Sequence, residues 1–118
     1  MTDYSIECVS EIEKDLKHIH VDGFDDDFER FKKALPEMLR EKEHYHFHGL
    51  YQMPSLGKIA GVVYKAKKIR CQSLHSKDKF RVIFQVIGDR IIIIEVYFKG
   101  QKENEDKQRI LAYCQESN

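Results

Sequence analysis

Four segments of the chain alternate hydrophobic and polar residues, or form short apolar runs, as strands of a half-buried sheet do. The four are residues 4–9, 62–71, 80–87 and 90–99. Gly88 and Asp89, between the last two, are suited to a tight hairpin turn. Residues 44–61 have no sustained period and contain three glycines and a proline, so we expect a connector there.

Three segments repeat apolar residues every three or four positions, which is the period of a helix. The first predicted helix follows Ser10, which has the capping-box spacing to Glu13 and precedes an apolar stripe beginning at Ile12. The last is predicted over residues 104–115, with Ile110 turned inward. Both helices are short and should each bury one face.

The middle helix has the longest apolar stripe. Its members are Phe24, Phe28, Phe31, Leu35 and Leu39. Residues 25–27 are three aspartates in the first turn, where the helix dipole favours carboxylates. A calcium loop is the alternative, but its D-x-D-x-D-G spacing is absent. Pro36 lacks an amide hydrogen and disfavours helix at Leu35, so we expect a kink or a break there.

The order of these elements predicts an α+β fold, with two N-terminal helices packed on a mainly antiparallel four-stranded sheet and a C-terminal helix. The length suits one domain, residues 1–118. No apolar run approaches the roughly 20 residues that cross a bilayer, and no secretory signal begins the chain, so we expect a cytoplasmic protein. Cys8, Cys71 and Cys114 show no C-x-x-C spacing and should be reduced, small apolar residues.

Charge is unevenly distributed although the formal net charge is zero. Residues 1–55 contain 7 Lys and Arg against 13 Asp and Glu, whereas residues 56–102 contain 11 against 3. The second segment is therefore basic. Such a region attracts phosphate-rich or acidic partners whatever the overall charge.

Alternation places three cations on one face of the predicted sheet. The aromatic side of residues 80–87 must be core, so Arg81 points from the other face. Lys65 and Lys67 join it if Tyr64 faces the core. We expect these cations on a sheet face that helices leave uncovered. A solvated surface explains them, and so does RNA binding, because such side chains also bind phosphates and stabilise the phosphorane of strand cleavage.

The register of the last hairpin decides which residue neighbours Arg81. A regular two-residue loop would place Arg81 opposite Val96, and Glu95 would then point to the core side. A bulge reverses the facing and brings Tyr97 near Arg81. Since burying an unpaired Glu95 is costly, we expect the bulged register.

Histidines in the connector raise the alternative of a metal site or a catalytic base. The residues concerned are His44, His46, His48, Cys71 and His75. Structural zinc usually takes four ligands from C-x-x-C or H-x-x-x-H pairs, and neither spacing occurs. We therefore expect an exposed connector, with no metal and no other cofactor.

Two segments together resemble the RelE/ParE superfamily of toxin–antitoxin toxins. They are VVYKAKKIRC, residues 62–71, and FRVIFQVIGDRIIIIEVYFKGQKENEDKQRIL, residues 80–111. The family places a basic strand before a strand of the form aromatic-Arg-apolar-apolar-aromatic and an apolar final strand. The likeness covers about residues 56–111 and implies a compact fold with two N-terminal helices on an antiparallel sheet.

For the RelE branch, the resemblance implies a type II toxin that cuts mRNA in the ribosomal A site without a metal. The nucleophile is then the RNA's own 2′-hydroxyl. The implied catalytic residues are Lys65, Lys67, Arg81 and Tyr97, and the implied RNA-binding residues are Lys68, Arg70, Lys99 and Lys102. Tyr97 enters because this chain has Glu103 where family nucleases often have a tyrosine or histidine.

The implied partners are an antitoxin encoded nearby and mRNA on the ribosome, with no membrane and no small-molecule cofactor. Two alternatives remain open. In the ParE branch, the same fold binds DNA gyrase and does no RNA chemistry. A binding module derived from a phage or mobile element would have neither catalysis nor toxicity.

Overall fold

The computed structural model describes residues 3–19, 22–41, 49–53, 61–67, 80–99, 102 and 104–114. These residues form three helices and a five-stranded sheet. The helices are α1 (Ile12–His18), α2 (Phe24–Arg40) and α3 (Lys107–Tyr113). The strands are β1 (Ser5–Cys8), β2 (Leu50–Gln52), β3 (Val62–Ala66), β4 (Phe80–Ile87) and β5 (Arg90–Phe98). No helix in the described part of the chain is long and apolar enough to cross a membrane.

The sheet has the order β1-β5-β4-β3-β2 and is mixed, because β1 runs parallel to β5 while the other neighbours are antiparallel. The α+β class is confirmed, but the prediction of four strands missed β2. This strand lies within the predicted connector and pairs Leu50 with Ala66. Three residues between glycines and a proline are too few to show a period, so only the tertiary contact reveals the strand.

The helical hairpin α1–α2 packs on one face of the sheet and forms the larger core. The predicted stripe of α2 is buried throughout, from Phe24 to Leu39. The ring centroid of Phe24 lies 4.1 Å from that of Phe80, on the aromatic side of β4. Alternation therefore identified the core face of β4 correctly.

The break that Pro36 could have caused is absent, and a second local prediction, the capping box at Ser10, is wrong. The helix α2 continues through Pro36 to Arg40, because buried Leu35 and Leu39 keep the segment packed on both sides of the proline. The capping box at Ser10 does not form. The helix α1 begins at Ile12, with Glu11 as its N-cap and no side-chain cap, so Ser10 lies one residue too early.

The second face of the sheet is covered as well, which contradicts the expected open surface. The fully or nearly fully buried residues of this second core are Val63, Ile83, Ile94, Tyr97, Ile110 and Cys114. The helix α3 supplies Ile110, and Cys114 is its C-cap. The helix begins at Lys107, later than predicted, because Asp106 is its N-cap and accepts from the Arg109 N–H at 3.1 Å. Buried apolar residues on both faces of β4 and β5 require two covering layers.

Candidate functional site

The pairing of β3 with β4 brings the basic residues of the two strands together. Tyr64 and Ala66 lie in the first core, so Lys65 and Lys67 point to the second face, as alternation predicted. Lys65 is opposite Ile83, and Ala66 is opposite Val82. Continuing this register places Lys67 beside Arg81 at the ends of the two strands.

The predicted bulge in β5 is present. The two-residue turn pairs Ile87 with Arg90, but the register shifts by one between Ile83 and Phe84, so that Arg81 lies opposite Tyr97. The extra residue is Ile94, since Phe84 pairs with Ile93 and Ile83 with Glu95. The bulge turns Tyr97 toward the second face together with Arg81.

Glu95 is nevertheless buried, with 1% of its surface exposed. The cost of this burial is offset by two bonds: Oε1 accepts from the Asp106 N–H at 2.8 Å, and Oε2 pairs with the Lys102 ammonium. The premise that a bulge would keep Glu95 in solvent was therefore wrong, although the register was right. Glu95 instead fixes the path of the chain that leads into α3.

Lys65, Lys67, Arg81 and Lys99 form one group, called here the cation cluster. The pKa of Lys67 is lowered, first by burial and then by the charges of the other three members. Its ammonium also lies 4.8 Å from the ring centroid of Tyr51. Like charges raise each other's energy, so the cluster favours an anionic ligand.

Glu105, from the segment before α3, places its carboxylate in the cation cluster. Glu105 Oε2 accepts from Lys65 Nζ at 2.7 Å and from the Tyr97 hydroxyl at 3.4 Å. The two charged side chains are 15% and 11% exposed. Burial alone would raise the pKa of Glu105, but hydrogen bonds from Lys65, the backbone and Tyr97 lower it overall.

Sequence reasoning missed Glu105. It lies in a polar stretch before a short helix, where an acidic residue is usually solvated, and it is 40 positions from its partner Lys65. Its placement depends on the turn that Glu95 fixes through Asp106. The sequence pointed to Glu105 only indirectly, because a basic strand that becomes partly buried needs a carboxylate nearby.

Tyr97 is 4% exposed, so its ring has no open face on which a base could stack. Burial raises its pKa, and the charges of Glu105 and Glu95 raise it further. The Lys102 ammonium lies over the ring, 5.8 Å from its centroid, and the hydroxyl donates a hydrogen bond to Glu105. Tyr97 therefore acts in this structure by supporting neighbouring charged groups.

Arg81, predicted as catalytic, and the predicted RNA-binding residues have different positions. Lys99 is exposed, and its charge helps to lower the pKa of Lys67 within the cation cluster. Lys102 is paired with buried Glu95 at the margin of the site. Arg81 is half-buried, and its Nη1 donates to the Phe80 carbonyl at 3.0 Å. The remaining two, Lys68 and Arg70, lie outside the described residues.

The residues weighed for a metal site, His44, His46, His48, Cys71 and His75, also lie outside the described residues. Among those that are described, no group of three or more His, Cys, Asp or Glu side chains could hold a metal ion. Cys8 and Cys114 are free thiols. Cys8 is exposed, whereas Cys114 is buried, and burial raises the pKa of its thiol to about 11.

As far as the structure describes the chain, the site combines four cations with the carboxylate of Glu105 on one face of the sheet. Cations on strands can bind a phosphate at a fixed position, and a carboxylate held among them can accept a proton. No protein-family model, curated protein or solved structure matches the chain. The chemistry of the cation cluster and Glu105 is therefore the basis for assigning a function.

Proposed function

We propose that this protein is a RelE-like toxin that cleaves mRNA on the ribosome, with the cation cluster as its substrate site. The observation that carries the proposal is the convergence of Lys65, Lys67, Arg81 and Lys99 on one sheet face. The sequence resemblance implies an RNA-cleaving role for the first three. A polyanion that contacts several of these cations at once would relieve their mutual repulsion.

In the proposed reaction, the 2′-oxygen of one nucleotide attacks the adjacent phosphorus and the bond to the 5′-oxygen breaks. The products are a 2′,3′-cyclic phosphate and a 5′-hydroxyl. Arg81 has the planar fork that binds two phosphate oxygens, so we assign it to the phosphorane. Lys67 donates the proton to the leaving oxygen, because its lowered pKa makes it a better acid than an ordinary lysine.

The decisive experiment compares Arg81→Ala with Arg90→Ala, which removes the same side chain from the far end of the hairpin. The readouts are growth arrest on induction and the mapped ends of mRNA on translating ribosomes. Arg81→Ala should lower the cleavage rate about 100-fold and relieve arrest, because it removes a cation from the phosphorane. Arg90→Ala should behave as the parent.

Both variants must unfold at nearly the parent's temperature for the comparison to hold. A folded Arg81→Ala protein that remains fully toxic would refute the nuclease assignment. Growth arrest with intact mRNA and inhibited gyrase would favour the ParE branch. Expression of the parent without toxicity, cleavage or gyrase inhibition would favour a binding module.

We also propose an antitoxin partner that carries an acidic segment and covers the cation cluster. Exposed charges steer such an encounter, so association should slow as salt rises. Replacing Lys65 and Lys67 together by glutamate should weaken the complex and abolish toxicity in parallel. A double variant that binds the adjacent gene product as tightly as the parent, with the same salt dependence, would place the partner elsewhere.

A further inference from the structure

We propose that Glu105 is the general base that takes the proton from the attacking 2′-hydroxyl. The inference rests on the proposed function, because it assigns a role within the same cleavage site. Its basis is position: among the residues that the structure describes, Glu105 is the carboxylate that reaches the cation cluster, with Oε2 bonded to Lys65 Nζ at 2.7 Å. An RNA phosphate bound by those cations would lie next to Glu105.

Two neighbouring carboxylates in the described part of the chain, Glu95 and Asp106, have other partners. Glu95 is 1% exposed and both of its oxygens have partners, Lys102 and the Asp106 N–H, so RNA cannot reach it. The Asp106 side chain accepts from the Arg109 N–H and caps α3. Glu105 differs from both because its partners, Lys65 and Tyr97, belong to the strands that form the site.

The surroundings of Glu105 suit a proton acceptor. Lys65 and Tyr97 both donate to Oε2, which fixes the carboxylate in one orientation. These bonds also lower its pKa, so the group is ionised at neutral pH. A lower pKa makes Glu105 a weaker base, but all of the protein then carries the acceptor form.

The step balances without a further reactant. As the bond from the 2′-oxygen to phosphorus forms, the hydroxyl proton passes to Glu105. The bond from phosphorus to the 5′-oxygen breaks, and that oxygen takes a proton from Lys67. Glu105 then returns its proton to water and Lys67 regains one, so both residues end as they began.

The test uses single-turnover cleavage of mRNA in programmed ribosomes, together with binding to ribosomes that carry a 2′-deoxy nucleotide at the scissile position. Glu105→Gln should lower the cleavage rate by about 10²- to 10⁴-fold, the usual contribution of a general base. Binding to the uncleavable mRNA should stay equal or become tighter, because a negative charge leaves the cation cluster. Glu105→Asp should restore part of the rate.

Asp106→Asn is the matched control, because it removes the same charge one residue away and keeps a side chain that can cap α3. It should cleave at the parent's rate. The pH profile gives a further readout: the acidic limb of the parent's single-turnover rate should be absent in Glu105→Gln. A purely structural role would leave that limb in place.

Cleavage by Glu105→Gln at the parent's rate or faster would overturn the inference and make Glu105 a counter-ion that competes with RNA. Loss of cleavage together with loss of binding to the 2′-deoxy mRNA would also overturn it, in favour of a structural role. Failure of the parent to cleave would refute the proposed function itself. The two failures are therefore distinguishable.

Discussion

Arg109 and Asp15 form a bidentate ion pair, with Nη1 to Oδ1 and Nη2 to Oδ2 both at 2.9 Å. Asp15 is on α1 and Arg109 is on α3, so the pair joins the layers on opposite faces of the sheet. Asp15 Oδ2 also accepts a hydrogen bond from the Val96 N–H at 3.0 Å. Val96 lies on β5 after Ile93, the last residue of that strand that pairs with β1. The pair thus anchors α3, which follows Glu105.

Arg109→Ala should lower the free energy of unfolding by about 2–4 kcal/mol, because it leaves the Asp15 charge partly buried without its main partner. Urea unfolding at neutral pH measures the change. Arg90→Ala is the control: its pair with Glu7 is half exposed on both sides, so the loss should be under about 1 kcal/mol. Equal losses in the two variants would contradict the anchoring role.

The second core predicts that two adjacent residues of α3 contribute very differently to the free energy of unfolding. Ile110 is fully buried, whereas Leu111 is 48% exposed. Ile110→Ala should therefore cost about 2–4 kcal/mol of unfolding free energy, and Leu111→Ala about 0.5 kcal/mol or less. Chemical denaturation of the two variants checks this. Similar losses would mean that α3 does not pack against β4 and β5 in solution.

Local periodicity predicted the parts of the fold that depend on it. The stripe of α2 follows from apolar residues that repeat every three or four positions, and the facing of Lys65 and Arg81 follows from the two-residue alternation of a strand. The bulged register was also predicted correctly, but from the wrong premise that it would keep Glu95 in solvent. These predictions depended only on contacts between residues of the same strand or helix, or of two strands joined by one hairpin turn.

The remaining features depend on contacts between distant segments. The helix α3 covers the second face because Ile83 and Ile94 need cover, but the sequence does not say which segment provides it. Glu105 reaches Lys65 only because that segment crosses the sheet after β5. The site could thus be predicted as a group of cations with Tyr97 beside Arg81, while its carboxylate and the burial of the tyrosine could not.

The close approach of β3 and β4 at Gly61 gives a prediction about backbone space. A Cβ on Gly61 would lie 2.0 Å from the Val86 carbonyl oxygen, and the φ angle there is +66°. Gly88 has a similar φ of +59° but open space around it. Gly88→Ala should cost about 1–2 kcal/mol, the penalty for a left-handed residue.

Gly61→Ala carries the same penalty and also forces two backbones apart, so it should cost about 3–5 kcal/mol. Thermal and urea unfolding of both variants give the comparison. A Gly61 variant as stable as the Gly88 variant would show that the start of β3 can move away from Val86 at little cost.

The lowered pKa of Glu105 predicts how stability depends on pH. Its folded pKa lies below the ordinary value of 4.5, so the unfolded chain binds more protons in the interval between them, and stability rises with pH there. The contribution of the ionised group is complete above about pH 5.5 and is lost as pH falls through the folded pKa. Parent and Glu105→Gln should therefore differ most at neutral pH and converge in acid.

Urea unfolding of both proteins at intervals from neutral pH to about pH 3 measures this difference. Glu37→Gln, on the exposed side of α2, is the control and should follow the parent within about 0.5 kcal/mol throughout. Convergence in acid follows because a protonated Glu105 no longer holds the Lys65 ammonium more strongly than glutamine does. If the difference in unfolding free energy between parent and Glu105→Gln widened as the pH fell, the neutral carboxyl would be the stabilising form. Glu105 would then not be held ionised by Lys65 and Tyr97.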